Sequence, residues 1–349
     1  MAADLQDMKQ LIGKVVGGET LTVPEAERAF DIIMSGDATP SQMGGFLAAL
    51  RLRGETVEEI TGAARTMRAK VSRIYAPDNA MDIVGTGGDK LGTLNVSTAA
   101  ALVVAGCGVP IAKHGNRAAS SRSGTADALG QLGVDLDCPF PNIERSIKEA
   151  GIGFMIAPRH HGAMRNVMPT RVELGVPTIF NILGPLSNPA LVKRYLIGCF
   201  RPEFIEKMAE TLGDLGAERA WVVHGHSGMD EISTTGPTRV ASLENGTVTT
   251  FEISPADIGL PVADLTDLLG GTPEFNAKAI MALLDGTPSA YRDIVVFNAA
   301  AALLIAGKAA DLKDGAKQAG DSIDSGRAKQ TLTTLVAITN DYPKEGKAG

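Results

Sequence analysis

From Met81 onward, short apolar runs alternate with stretches of helical periodicity, and this alternation restricts the fold more than any other feature of the chain. The runs MDIVG, VPIAKHG, GIGFMIAP, RYLIGCF and ERAWVVHG each have the length of one strand. Between them lie STAAALVVAGCG and helical stretches at 126–132 and 202–215. Strands separated by helices join through right-handed crossovers into a mainly parallel sheet covered on both faces. TRVASLENGTVTTFEI adds a hairpin turning at Asn245-Gly246, a pair that tolerates the positive φ of a two-residue turn. The Ala-rich tract 298–304 reads as a buried helix.

The first 75 residues follow helical rules throughout. Thr22 and Glu25 with Pro24 between them open one helix, Thr39-Pro40 opens the next, and Thr56 to Glu59 forms a further capping box. Gly36 and Gly54 end the first two. Apolar residues recur at helical spacing at Phe46, Leu47 and Leu50, and again at Ile60, Ala63, Ala64 and Met67. These segments carry more apolar surface than a small bundle buries, which predicts an isologous dimer interface on them. With 349 residues, 44% of them hydrophobic, the chain has enough material for a full core and two domains.

The formal charge of −7 argues against bulk attraction to nucleic acid or an anionic membrane, so a bound anion must meet locally clustered cations. MAADLQDMKQ has acids and no apolar signal core, and the longest apolar stretches are broken by Gly, Pro or Lys. A soluble cytoplasmic protein is expected. Cys107, Cys138 and Cys199 are odd in number and set among apolar neighbours, as buried reduced thiols are.

Chemistry concentrates first in DIVGTGGDKLGTLNVST, residues 82–98. Asp82, Ile83 and Val84 end a strand; Gly85, Gly87 and Gly88 then allow a tight turn with outward amides. Asn95, Ser97 and Thr98 stand where a helix begins and its dipole is positive. An anion site and a plain strand-to-helix turn capped by Ser97 both fit this loop alone. It is neither a Walker loop nor GxGxxG, because Lys90 takes the place of the last glycine. A second loop, KHGNRAASSRSGTAD at 113–127, supplies Lys113, His114, Asn116, Arg117, Ser120, Ser121 and Arg122 after another strand. One such loop is ordinarily solvated. Two that converge at the carboxyl edge of one sheet favour a polyphosphate ligand.

GTGGD at 85–89, NVST at 95–98, KHGNRAASS at 113–121, PTRVELG at 169–175, TIFNILGPLSNPA at 178–190 and VVHGHSGMDE at 222–231 resemble the anthranilate phosphoribosyltransferase family in one order along nearly the whole chain. The resemblance implies transfer of phosphoribose from phosphoribosyl pyrophosphate to the amine of anthranilate in tryptophan biosynthesis, with pyrophosphate released and two Mg²⁺ per chain. It implies a homodimer of two-domain chains of the nucleoside phosphorylase/phosphoribosyltransferase type. A small helical domain, 1–75, would be joined by a segment near 170–190 to an α/β domain, 76–349, that binds phosphoribosyl pyrophosphate. By the same resemblance Gly85, Gly88, Asp89, Thr93, Asn95, Val96, Ser97 and Thr98 would hold phosphoribosyl pyrophosphate. Lys113, His114, Gly115, Asn116, Arg117, Ala118, Ala119, Ser120, Ser121 and Thr125 would line its ribose and pyrophosphate. Gly85, Asn116 and Arg171 would meet anthranilate, Arg171 pairing with the carboxylate. Ser97 would lie near one Mg²⁺, and Asp230 and Glu231 would bind a second. Thr125 stands where serine is usual and Pro177 where arginine is more frequent.

Pyrophosphate leaves an anomeric carbon with charge separation, so oxygen-ligated Mg²⁺ and fixed cations suit the reaction. An aromatic amine is neutral at pH 7, and no acid–base residue is assigned. Asp230-Glu231 by itself reads as a solvated turn pair. His114, His160 and His161 read as structural or as donors, and His224 and His226 lack zinc-pair spacing. A pyrimidine nucleoside phosphorylase would need fewer pyrophosphate donors, and a nucleic-acid-binding relative would be basic.

Overall fold

The computed structural model describes residues 2–117 and 122–343. Four helices open the chain: α1 (Ala2–Val16), α2 (Val23–Ser35), α3 (Pro40–Arg53) and α4 (Val57–Ala69). Thr22, Thr39 and Thr56 each accept from the amide three residues on, and Glu25, Gln42 and Glu59 return the bond to the cap's own amide. Strand β1 (Met81–Gly85) then leads through α5 (Val96–Gly106) to β2 (Ile111–Gly115), and α6 (Thr125–Gln131) and α7 (Phe140–Glu149) precede β3 (Ile152–Ile156). Three short helices, α8 (Ala157–His160), α9 (Met168–Leu174) and α10 (Phe180–Leu186), come before β4 (Arg194–Gly198), α11 (Ile205–Asp214) and β5 (Arg219–Gly225). The hairpin of β6 (Thr238–Glu244) and β7 (Thr247–Ile253) turns through Asn245 and Gly246 at φ 52° and 75°. Helices α12 (Pro273–Leu284), α13 (Ala290–Ile305), α14 (Leu312–Asp324) and α15 (Arg327–Asn340) complete the chain.

The seven strands form one sheet in the order β3-β2-β1-β4-β5-β6-β7, parallel from β3 to β5 and antiparallel beyond. The winding direction reverses between β1 and β4, the position at which open α/β sheets bind ligands beyond the strand carboxyl ends. Both faces are buried, which explains why the central strands are apolar almost without interruption. Ile83, Leu196, Trp221 and Val223 pack into the layer of α5 and α13 to α15. Val84, Tyr195, Ile197, Ala220 and Val222 pack into the layer that contains α1 to α4, α10 and α11.

That second layer changes one expectation. The apolar faces of the N-terminal helices are taken up largely within the chain: α3 packs on α9, and α4 on α10 and α11. Phe30 meets Phe46 and Phe180 edge to face at ring separations of 5.8 and 5.7 Å. Val16 and Leu52 remain exposed on the bundle, so the surplus of apolar surface inferred from sequence shrinks to a few side chains. All three cysteines are free; Cys138 and Cys199 are buried, whereas Cys107 is only half-buried. Among the described residues no helix is long and apolar enough to cross a membrane.

Candidate active site

The strands β1 and β4 end on Gly85 and Gly198, which are paired in register. A Cβ on Gly85 would fall on the Asp230 carboxylate, and one on Gly198 would fall on the Asp230 carbonyl. The missing side chains let the Asp230-Glu231 segment lie directly over the point where the winding reverses. The Gly87 N–H donates to Asp230 Oδ2 at 2.6 Å, and the Ser97 N–H at the start of α5 donates to Glu231 Oε1 at 3.1 Å. Neither is a freely solvated turn acid: both carboxylates are half-buried at the cleft. Burial first, then the nearby charges of Glu231 and Asp89, raises Asp230 well above the usual carboxylate range. Burial likewise pushes Glu231 up to about 7, against the opposing pull of Lys113. Ser97 does not cap α5, and its amide is engaged by Glu231 rather than left open for a phosphate.

In front of this pair lies a cleft of about 240 Å³. Its walls contain Gly85, Gly88, Asp89, Thr93, Asn95, Val96 and Ser97 from the first loop, with Asp230 and Glu231 at the floor. Gly115, Asn116, Arg117 and Thr125 contribute the second loop. The turn depends on left-handed backbone at Gly87, Gly88 and Gly92, and Lys90 shares it at φ 61°. Ala118, Ala119, Ser120 and Ser121 lie outside the described residues. Sequence reasoning missed Lys90, Ser123 and Gly124 as members of the lining; the tripeptide SGT after Arg122 was the available signal for the last two.

Three expected contacts take other places. Thr98 is buried behind the cleft, where its hydroxyl donates to Thr125 Oγ1 at 3.2 Å. Lys113 has no exposed surface: its ammonium donates to the Ile83 carbonyl and, at 3.4 Å, to Ser97 Oγ. The ammonium thus lies beside β1, behind the floor of the cleft, with the charges of Asp82 and Glu231 near it. His114 is also buried, with Nδ1 3.2 Å from the Gly184 carbonyl and its ring 5.1 Å from that of His161. The reason is strand geometry: β2 continues through both residues, and its alternation sends neighbouring side chains inward on opposite faces. Burial, then the neighbouring imidazoles, holds His114 well below the ordinary histidine range. His160 bonds the Ser72 carbonyl at 2.8 Å and stacks on Phe140 at 4.6 Å, a structural role. Asp82 anchors the same region by accepting from the His114 N–H and from Asn188 Nδ2.

Arg171 lies on α9, outside that cleft. Its guanidinium stands 5.6 Å from the centre of the Phe180 ring, and Nη2 is 3.5 Å from Asn181 Oδ1. Burial lowers its pKa, and among the described residues no acid forms an ion pair with it. A half-buried guanidinium without an acid partner suits a carboxylate supplied from outside.

Oxygen donors of the kind Mg²⁺ takes converge at the floor. Asp89 Oδ1 accepts from the Leu91 N–H at 3.1 Å, while Asp89 Oδ2 is buried without a hydrogen-bond partner. Among the described residues no set of three His, Cys, Asp or Glu is preformed as a metal site. The half-buried, mutually repelling carboxylates at the cleft nonetheless fit a divalent cation, which would relieve the electrostatic cost that raises their pKa values.

Such a fold and cleft define a class of glycosyltransferase made of a helical bundle and an α/β domain. Residues 9–71 match the helical bundle domain of the glycosyl transferase family, and residues 77–329 match its a/b domain. An anthranilate phosphoribosyltransferase from Rhodospirillum rubrum is 62% identical over 95% of this chain and 96% of its own. The crystal structure of the enzyme of that name from Thermus thermophilus is 44% identical, with a TM-score of 0.90 over 94% of this chain and 99% of that one. The Saccharomyces cerevisiae enzyme, solved in complex with phosphoribosyl pyrophosphate and Mg, is 28% identical with a TM-score of 0.87 over 96% and 98% of the two chains. The chain belongs to the anthranilate phosphoribosyltransferase family. Its reaction is transfer of the phosphoribosyl group of phosphoribosyl pyrophosphate to the amine of anthranilate, a pentosyl transfer in tryptophan biosynthesis.

Proposed function

We propose that the cleft at the β1–β4 reversal binds phosphoribosyl pyrophosphate and that Arg171 receives the carboxylate of anthranilate, with Gly85 and Asn116 beside the acceptor. The observation that carries this reading is the half-buried Asp230-Glu231 pair bonded to the glycine turn and to the start of α5 in one cleft. In this reading Gly85, Gly88, Asp89, Thr93, Asn95, Val96, Ser97 and Thr98 form the first binding loop. Lys113, His114, Gly115, Asn116, Arg117 and Thr125 form the second, with Lys113, His114 and Thr98 acting from behind it. Ala118, Ala119, Ser120 and Ser121 would complete that loop.

Mg²⁺, two ions per chain, would be held by Asp230 and Glu231 and near Ser97, and would supply positive charge to the departing pyrophosphate. The chain's own contribution is positioning. The glycine turn would let the phosphates approach its backbone, and Arg117 adds a cation at the mouth. Lys113 places its charge near the Glu231 carboxylate, which the Ser97 N–H holds. As the C1–O bond to pyrophosphate breaks and the C1–N bond forms, the amine needs no strong base to attack, because it is already neutral, and the proton its nitrogen then sheds passes to water or to the departing pyrophosphate.

Arg171→Ala is expected to raise the anthranilate KM by an amount worth roughly 1.5 to 3 kcal/mol, the range of a charged hydrogen bond, with the KM of phosphoribosyl pyrophosphate little changed. Steady-state kinetics with each substrate varied decides this, and equal effects on both would remove Arg171 from the role.

The two-domain division at 1–75 and 76–349 belongs to the same reading, with α9 and α10 joining the parts; the packing of α3 on α9 and α4 on α10 supports it. The protein would act in the cytoplasm as a homodimer, for which Val16 and Leu52 on the bundle offer exposed apolar contacts. Light scattering at micromolar concentration is expected to give the mass of a dimer; a monomer mass would rule this assembly out.

A further inference from the structure

A segment far along the sequence braces the first binding loop. The backbone of 268–270 runs against 92–94: the Leu94 N–H donates to the Leu268 carbonyl at 2.9 Å, and the Gly270 N–H to the Gly92 carbonyl at 2.8 Å. Between these bonds Thr93 and Leu269 form a one-residue antiparallel bridge. Gly270 is pressed so closely that a Cβ there would stand 2.7 Å from the Thr93 carbonyl. The strap is locked by one side chain. Asn276, 1% exposed near the start of α12, accepts from the Gly271 N–H at 2.8 Å and donates to Asn95 Oδ1 at 2.9 Å. The Asn95 amide in turn donates to the Ser123 carbonyl at 3.3 Å, and the Tyr291 hydroxyl donates to the Asn95 carbonyl at 3.0 Å. Asn95 thus touches both cleft loops, and its orientation is set by Asn276 and Tyr291 from outside the cleft together with Ser123 in its lining.

We propose that Asn276 is a positioning residue for phosphoribosyl pyrophosphate: by holding Asn95 and the strap, it fixes the loop from Gly92 to Asn95 in its binding conformation before substrate arrives. A primary amide suits the place, since one end must accept from a backbone amide and the other must donate to a side-chain carbonyl oxygen. A loop left to settle only on binding would lose affinity for the ligand that orders it, and the acceptor substrate would be unaffected. The inference rests on the reading of the cleft as the phosphoribosyl pyrophosphate site.

The test compares wild type, Asn276→Ala, Asn276→Ser, Asn95→Ala and the Asn95→Ala/Asn276→Ala double variant. Calorimetry measures the Kd of phosphoribosyl pyrophosphate with Mg²⁺, and steady-state kinetics gives both KM values. Both Asn276 variants are expected to bind phosphoribosyl pyrophosphate about tenfold more weakly, with the anthranilate KM unchanged. The double variant is expected to be no weaker than Asn95→Ala alone, because Asn276 acts through Asn95. If Asn276→Ala does not fold, Asn276→Ser carries the comparison. Unchanged affinity in a folded Asn276 variant, or a further full tenfold loss in the double variant, would overturn the proposal. Failure of the wild type to bind phosphoribosyl pyrophosphate would instead overturn the reading of the cleft.

Discussion

Replacing Asp230 with Asn and Glu231 with Gln is expected to lower turnover by about a hundredfold or more, the scale on which a single electrostatic group at a reacting centre acts. The amides keep the size of the side chains and can still accept from the Gly87 and Ser97 N–H groups. What they remove is negative charge for Mg²⁺. The two carboxylates repel each other and Asp89 as they stand, half-buried at the cleft, so neutral amides should shift the melting temperature of the metal-free protein by less than about 4 °C. Added Mg²⁺ should recover part of the turnover. Turnover against Mg²⁺ concentration, with melts alongside, distinguishes this from simple unfolding. Superimposable activity curves for wild type and double variant would deny the pair any role with metal.

Gly198→Ala should damage both the fold and the site. The added methyl falls on the Asp230 carbonyl, which is backbone and has no rotamer to escape into. Strand β4 cannot give way either, since it is paired with β1 on one side and β5 on the other through Gly198 itself. The segment bearing Asp230 and Glu231 must therefore move. A loss of about 3 kcal/mol is expected from overpacking of this kind, together with a rise in the Mg²⁺ needed for half-maximal turnover. Gly320→Ala is the control: it lies within α14 with open space around the new Cβ, where alanine favours a helix by up to about 1 kcal/mol. Urea melts and Mg²⁺ titrations of both variants check the pair. Wild-type behaviour of Gly198→Ala would mean that Asp230 is not held where the sheet reverses.

Local chemistry made much of the fold legible. Thr22 with Glu25, Thr39 with Pro40 and Thr56 with Glu59 marked α2, α3 and α4, and Asn245-Gly246 marked the hairpin, because each of these signals depends on neighbours in sequence. The glycine turn after β1 was visible for the same reason. Burial was harder to read. Asp230-Glu231 looks like any pair of acids in a turn until Gly85 and Gly198, more than thirty residues away in each case, are seen to make room for it. Lys113 and His114 read as the start of a polar loop, yet β2 runs through them and the sheet buries both. The bond from Asn276 to Asn95 spans 181 residues and has no local signature at all. The bundle's apolar faces were legible as apolar, but not their partner, since α9, α10 and α11 come a hundred residues later.

The central claim is that this chain joins phosphoribose to anthranilate, and the fluorescence of anthranilate reports it most directly. On addition of phosphoribosyl pyrophosphate and Mg²⁺ the anthranilate signal should decay to completion, with one pyrophosphate released per anthranilate consumed. Inorganic phosphate in place of phosphoribosyl pyrophosphate should leave the signal unchanged. Undiminished anthranilate fluorescence with folded protein, both substrates and saturating Mg²⁺ would contradict the account.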